Sequence, residues 1–346
     1  SIADKIDKIY QECLVLRQKI AKNSGFKNYR DYRFAELRRF DYKPKDCTSF
    51  HKAVLEHFVP LNTALMERRK NNLKLESLRP WDINCDELGR DPLLVYPKDN
   101  TQALIHGCGK IIASIDQELY GFYNILKEEN LLDLDSRLNK AQGGYMELLP
   151  LYKRTVIFAN GVGISRDLMT LLHEAGHCFH YFLGNHQSPF ALQDWTSEIA
   201  EVGSMTMEYF GIEKMESYLS KEFVQRIKEE RLMDCAHLFC SVAMVDEFQQ
   251  WVYTTPRVNQ EKRRKKYLEL SEIYFPAIDR RGFENLTKVA WQFTHILEAP
   301  FYYIEYAISE IVALSLWSKS KKDFNKAVQL YKKGCSLAAS KPLPSI

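Results

Sequence analysis

Long apolar runs are missing from this sequence: no uninterrupted stretch approaches the ~20 residues that a bilayer-spanning helix needs. Charge of one dominant sign is missing too. Lys and Arg total 48 against 45 Asp and Glu, a net charge of +3, too near balance to imply a nucleic-acid or anionic-membrane partner. The basic run Lys262-Arg263-Arg264-Lys265-Lys266 lies in a polar helical stretch and reads as a solvated face. The eight cysteines (13, 47, 85, 108, 178, 235, 240 and 335) form no paired framework and no CxxC spacing. That pattern predicts reduced core thiols in a cytoplasmic protein. Ser1–Ile20 does not read as a signal peptide, because it is charged throughout and helical in period. The first residue is serine rather than methionine, as in a processed or excised piece of a longer chain. Internal repeats and low-complexity segments are absent.

What is present is a globular composition, 45% hydrophobic and 27% charged. The 346 residues suffice for one large domain or two lobes. Helical periodicity dominates, predicting helices near 2–22, 28–38, 46–75, 99–129, 165–183, 196–210, 212–253, 259–273, 281–297 and 300–340. Pro80, Gly89, Pro92 and Pro97 break the pattern over 76–98. A second interruption, 143–163, holds the β-rich run Thr155-Val156-Ile157-Phe158, ended by Asn160-Gly161-Val162-Gly163. Such a strand is either an ordinary core strand or one placed to pair with an extended peptide.

The next helix carries His173-Glu174-Ala175-Gly176-His177. Residues four apart share a helix face, so the two imidazoles can meet one metal ion. Glu174 is turned away from them by about 100°, beside the metal, where a general base for water would stand. Leu168, Leu171, Leu172, Ala175, Cys178, Phe179 and Phe182 form the apolar side, Ser165 is the expected N-cap and Gly184 the expected stop. A catalytic zinc site needs a third protein donor. The HExxHxxGxxH solution fails, because His180 and Leu183 stand where it requires glycine and histidine. A carboxylate from the following helix is the alternative, and spacing leaves Glu198 and Glu201 both open. Glu208 lies two turns beyond Glu201 on the same face, placed to hydrogen-bond the free N–H of a ligand histidine. His180 as a fourth ligand would close the site, so it is read as lining the cleft or supporting a ligand.

HEAGHCFH followed by EVGSMTME resembles the oligoendopeptidase F branch of the thimet-oligopeptidase family of zinc peptidases. That resemblance makes Glu201 the third ligand of a single Zn²⁺. The segment from Trp291 to Tyr306, WQFTHILEAPFYYIEY, is similar to the family's stretch in which a histidine and tyrosines contact the substrate carbonyl. By position this implies His295, Tyr303 and Tyr306, with Tyr306 as oxyanion donor, a role that suits a tyrosine hydroxyl. GFKNYRDY, RFDY, LRPWD and KAQGGY extend the likeness along most of the chain.

The implied fold is mostly α: a zincin-type HExxH helix with a small β-element beside the cleft, and two lobes around a deep channel. The implied division is a helical lobe over 1–140 and a metal-site lobe over 141–346, without the family's further N-terminal helical region. The implied activity is zinc-dependent hydrolysis of internal bonds in short unfolded peptides, by water that Glu174 activates. Two rivals remain: a zinc exopeptidase of carboxypeptidase type on the same scaffold, and a non-catalytic peptide-binding protein with structural zinc.

Overall fold

The computed structural model describes residues 1–98, 100–187, 197–337 and 340–341. The chain runs through α1 (Ile2–Asn23), α2 (Tyr29–Glu36), α3 (Pro44–Ala53), α4 (Val59–Asn72), α5 (Thr101–Ile115), α6 (Gln117–Glu128) and α7 (Ser165–Gly184). It continues through α8 (Ser197–Lys214), α9 (Lys221–Thr254), α10 (Gln260–Tyr274), α11 (Glu284–Thr287), α12 (Thr294–Leu297), α13 (Ile304–Ser320) and α14 (Phe324–Leu337). Three strands, β1 (Leu132–Asp135), β2 (Tyr145–Leu149) and β3 (Arg154–Gly161), interrupt the helices. The chain is therefore mostly helical with one small sheet, as its periodicity predicts.

Contacts divide it into two compact units, each built from two stretches. One comprises Ser1–Arg90 with Leu232–Ala307, the other Asp91–Arg231 with Ile308–Ile346. This differs from the expected boundary at residue 140. Residues 91–140 group with the HExxH helix because β1 pairs with β3 while α5 and α6 pack on α7.

In the second unit the strand order is β1-β3-β2, with β3 parallel to β1 and antiparallel to β2. Residues alternate between buried and half-buried along β3, the period-two pattern of a strand with one covered face. Leu168, Leu171, Leu172, Ala175, Cys178 and Phe179 of α7 are wholly buried, as the apolar stripe predicts, and join Ile111, Ile112 and Phe210 in one core. Tyr331 of α14, itself buried, donates to the Gly203 carbonyl at 3.2 Å.

In the first unit the basic run on α10 is not wholly solvated. Arg263 is buried and donates to Asp7 of α1 at 2.9 Å, while Arg264 reaches the other Asp7 oxygen at 2.9 Å. A buried guanidinium needs such a partner, and its stem supplies packing that a purely polar reading misses.

Four expected helices are broken, each for an identifiable reason. The stretch 46–75 splits into α3 and α4 around a π-turn at Val54–Phe58, beside Pro60, which has no N–H to give the regular ladder. Asp116 interrupts 99–129 by capping α6, its carboxylate accepting from the Glu118 and Leu119 amides. Residues 281–297 form only the two four-residue helices α11 and α12. Gly282 there takes a left-handed φ of +84°, and Phe283 and Trp291 pack singly on Trp81 and Tyr10. Tertiary contacts override the helical period at that place. The expected 300–340 helix is likewise two, because Asp323 caps α14 through the Lys326 amide.

Candidate metal centre and tyrosine cluster

The metal helix begins where β3 ends, and Asp167 builds the junction. One of its oxygens accepts from the backbone N–H groups of Val162, Gly163 and Ile164 at 2.8, 2.8 and 3.1 Å, and from the Tyr96 hydroxyl at 2.7 Å. The cap is thus a carboxylate reaching back from the third helical position, not the Ser165 hydroxyl that the sequence suggested. Gly163, at φ +102°, makes the turn that a side chain would strain. Gly184 does end the helix, but Asn185 closes it in a right-handed conformation rather than through a left-handed glycine.

His173 and His177 lie on one face of α7 with ring centroids 5.0 Å apart. Glu201 comes from α8: its Oε2 lies 3.2 Å from His173 Nε2 and 3.5 Å from His177 Nε2. Two zinc ligands at tetrahedral angles and bond lengths near 2.05 Å stand about 3.3 Å apart. The donor set therefore fits one divalent ion and leaves one corner of a tetrahedron open. These three residues form the metal-competent group found among the described residues. The Glu198 side chain lies outside the described residues.

Two glycines permit this meeting. A Cβ on Gly176 would stand 2.5 Å from the Gly203 carbonyl oxygen and 2.5 Å from Ser204 Cα, and one on Gly203 would stand 3.1 Å from the Gly176 oxygen. The two helices touch backbone to backbone at that crossing, where Gly176 adjoins His177 and Gly203 lies two residues beyond Glu201. Ser204 then donates to a Glu201 carboxylate oxygen at 3.0 Å, holding its rotamer.

Behind His173, Glu208 accepts from Nδ1 at 2.6 Å, which leaves Nε2 directed at Glu201 and the metal position. Arg231 grips the other Glu208 oxygen at 2.5 Å and forks onto Glu310 at 3.0 and 2.7 Å; Tyr209 also donates to Glu310 at 2.5 Å. Burial alone would raise the pKa of Glu208 and lower that of His173, but the charge of Arg231 and the hydrogen bond and charge of His173 bring Glu208 below its ordinary value. His173 ends well above its ordinary value, its burial outweighed by hydrogen bonds to Glu201 and Glu208. Glu201, also buried, is carried well below the usual range by His177 and His173.

Glu174 behaves differently. Burial raises its pKa, partly countered by His173 and His177 and by a main-chain hydrogen bond from Met146 of β2. His180 is almost wholly buried, packed near Gly203, and stands outside the three-donor group. Burial and the charge of His177 push its pKa down to about 3, so the ring is neutral.

β3 is flanked on both sides by β1 and β2, so it has no edge to offer a peptide. Among the described residues the open edge nearest Glu174 belongs to β2, whose exposed Tyr145 starts the strand. Strand order is a long-range property, and the run Thr155–Phe158 carries no sign of it.

In the first unit the tyrosine segment assembles into one cluster. His295 Nε2 and the Tyr306 hydroxyl are 3.1 Å apart. The Tyr303 ring stands 5.1 Å from His295 and 5.4 Å from Tyr306, and Tyr302 packs 5.6 Å from Tyr306. Phe301 is wholly buried, while Phe293 and Tyr302 are half-buried. Burial raises the pKa of Tyr303, which keeps the phenol protonated and able to donate.

The model of peptidase family M3 matches residues 2–341. The chain belongs to peptidase family M3. It is 28% identical over 315 residues to an oligoendopeptidase F homolog of Borreliella burgdorferi, covering 86% of this chain and 51% of that protein. Similarity to the oligopeptidase PepF of Bacillus subtilis (strain 168) is 23%, over 88% of this chain and 45% of that one. PZ peptidase A, solved with an inhibitor, superposes with a TM-score of 0.92 at 31% identity, covering 99% of this chain and 60% of that one. The chain spans about half the length of the curated relatives it matches. His173, His177, Glu201 and Glu208 were named from the sequence, and the structure brings these four side chains together. Arg231, Glu310, Gly176 and Gly203 were not singled out there, since a distant arginine and two helical glycines carry no local signal.

Proposed function

We propose that this chain is a zinc-dependent endopeptidase acting on short unfolded peptides. The observation that carries the reading is the convergence of His173, His177 and Glu201 at 3.2 and 3.5 Å, with the buried carboxyl of Glu174 on the adjacent residue. A zinc ion bound by those three side chains would supply Lewis-acid chemistry, making water more acidic and a carbonyl more electrophilic.

The remaining chemistry belongs to the chain. Glu174 takes the proton of the attacking water and returns it to the departing amine; its raised pKa brings it closer to both tasks near neutrality. Glu208 holds His173 in the tautomer whose Nε2 is free. An extended substrate pairs with the β2 edge, bringing main chain rather than side chains into register. Tyr306, with His295 or Tyr303, donates to the carbonyl oxygen as negative charge develops there. The six buried free thiols suit a reducing, cytoplasmic setting.

Metal analysis together with cleavage of a terminally blocked fluorogenic peptide tests this reading. We expect internal cleavage that needs bound zinc, and retained zinc with turnover nearly abolished in Glu174→Gln. Full turnover in that variant refutes the base assignment. Cleavage only of unblocked peptides would favour an exopeptidase, and bound zinc without any cleavage a binding protein.

A further inference from the structure

Within the first unit, the backbone that carries the tyrosine cluster is gripped by arginines from α1, α2 and the loop after α2. Arg17 donates to the Leu297 carbonyl at 2.6 Å, Arg33 to Pro300 at 3.3 Å and Arg39 to Phe301 at 2.5 Å. The Phe301 amide in turn donates to Gln249 Oε1 at 2.5 Å. Main-chain groups that could have found helix partners are instead held by side chains distant in sequence.

Phe301 shows why such grips are needed. It sits at φ +68°, a left-handed conformation that aromatic residues rarely adopt, with its ring wholly buried. A chain segment left to itself would relax out of that conformation. Both sides of the strained residue are fastened: its N–H by Gln249 and its carbonyl by Arg39.

Arg39 does more than hold one carbonyl. Its side chain is fully buried, and the same Nη2 also pairs with Glu305, equally buried. Phe301 and Glu305 bracket Tyr302 and Tyr303, and Tyr306 follows Glu305 directly. One guanidinium therefore pins both ends of the short stretch that presents the tyrosines. It is itself wedged over the Phe34 and Tyr42 rings at 4.9 and 5.5 Å. An ammonium has no planar fork to match this geometry.

We infer that Arg39 and Gln249 are positioning residues for hydrolysis: they hold Phe301 in its strained turn and thereby set where the Tyr303 and Tyr306 hydroxyls stand. This rests on the role proposed above for the tyrosine cluster.

The test uses the zinc-loaded chain and the blocked fluorogenic peptide, with Arg39→Lys and, independently, Gln249→Met. The second variant leaves the Arg39–Glu305 pair intact, so it remains informative if Arg39→Lys does not fold. Each should lower kcat roughly 10- to 100-fold, with KM and zinc content little changed. In a background of Tyr303→Phe with Tyr306→Phe, either substitution should cost little more, since the groups it positions are gone. In metal-free protein labelled with 3-fluorotyrosine, the ¹⁹F resonances of Tyr303 and Tyr306 should shift or broaden in both variants. Unchanged kcat and unchanged resonances in folded Gln249→Met overturn the inference. So does a loss of the same factor in the double-Phe background, which would mark a merely structural role. If the double-Phe chain itself turns over like the parent, the tyrosine reading fails first, a result separate from either of these.

Discussion

Gly176 and Gly203 face each other where α7 crosses α8, so closely that Gly176 cannot carry a methyl group without moving backbone and Gly203 could carry one only in a tight contact. Glu201, two residues before Gly203, reaches the two imidazoles because the helices approach this far. In Gly176→Ala the added carbon would meet main-chain atoms at 2.5 Å, which no side-chain rotation relieves. We expect a destabilisation of about 1–3 kcal/mol from overpacking and a larger proportional loss of zinc affinity. Thermal melting of the metal-free protein and chelator competition measure the two separately; wild-type zinc affinity would contradict the geometry.

Glu208→Gln keeps the shape of the group behind His173 but removes the charge shared with Arg231. Supporting groups of this kind typically govern metal affinity by about 10- to 100-fold. A weakening of zinc binding in that range, read by competition with a chromophoric chelator, is the expected result. No weakening would reduce Glu208 to an ordinary buried ion-pair partner.

Tyr306→Phe removes one hydroxyl and leaves the ring that packs on His295, Tyr302 and Tyr303. If it donates to the oxyanion, kcat should fall by about 10²- to 10³-fold with KM nearly constant. A fall in KM alone, or an unchanged kcat, would take Tyr306 out of the chemistry.

Cysteine accessibility gives a check independent of activity. Cys85 is exposed, whereas Cys108, Cys178, Cys240 and Cys335 are buried, and burial pushes each of those four thiols up to about 12. The thiolate is the species that alkylates. Brief iodoacetamide treatment of native protein should therefore modify Cys85, with Cys108, Cys178, Cys240 and Cys335 reacting only after denaturation, as mass spectrometry of digests would show.

The parts of this molecule that were legible in sequence are those set by local period. The HExxH spacing, the apolar stripe from Leu168 to Phe179 and the order strand–turn–helix all follow from rules that operate within a few residues. What was not legible depends on partners far away in sequence. The place of β3 between β1 and β2 is set by pairing to residues 132–135 and 145–149. The turns in place of a helix over 281–297 reflect burial of Trp291 against Tyr10. Phe301 looks like any core aromatic in sequence; its left-handed backbone is visible only beside Arg39 and Gln249.

The hydroxyl that closes over the Gly203 carbonyl belongs to Tyr331, 128 positions downstream. During translation, α7 and α8 emerge long before α14, which packs on α7 in the finished unit. A nascent chain halted near residue 300 would own every proposed ligand yet lack the helix that covers their crossing. Metal capture should therefore follow the synthesis of α14 rather than guide the early folding of α7 and α8.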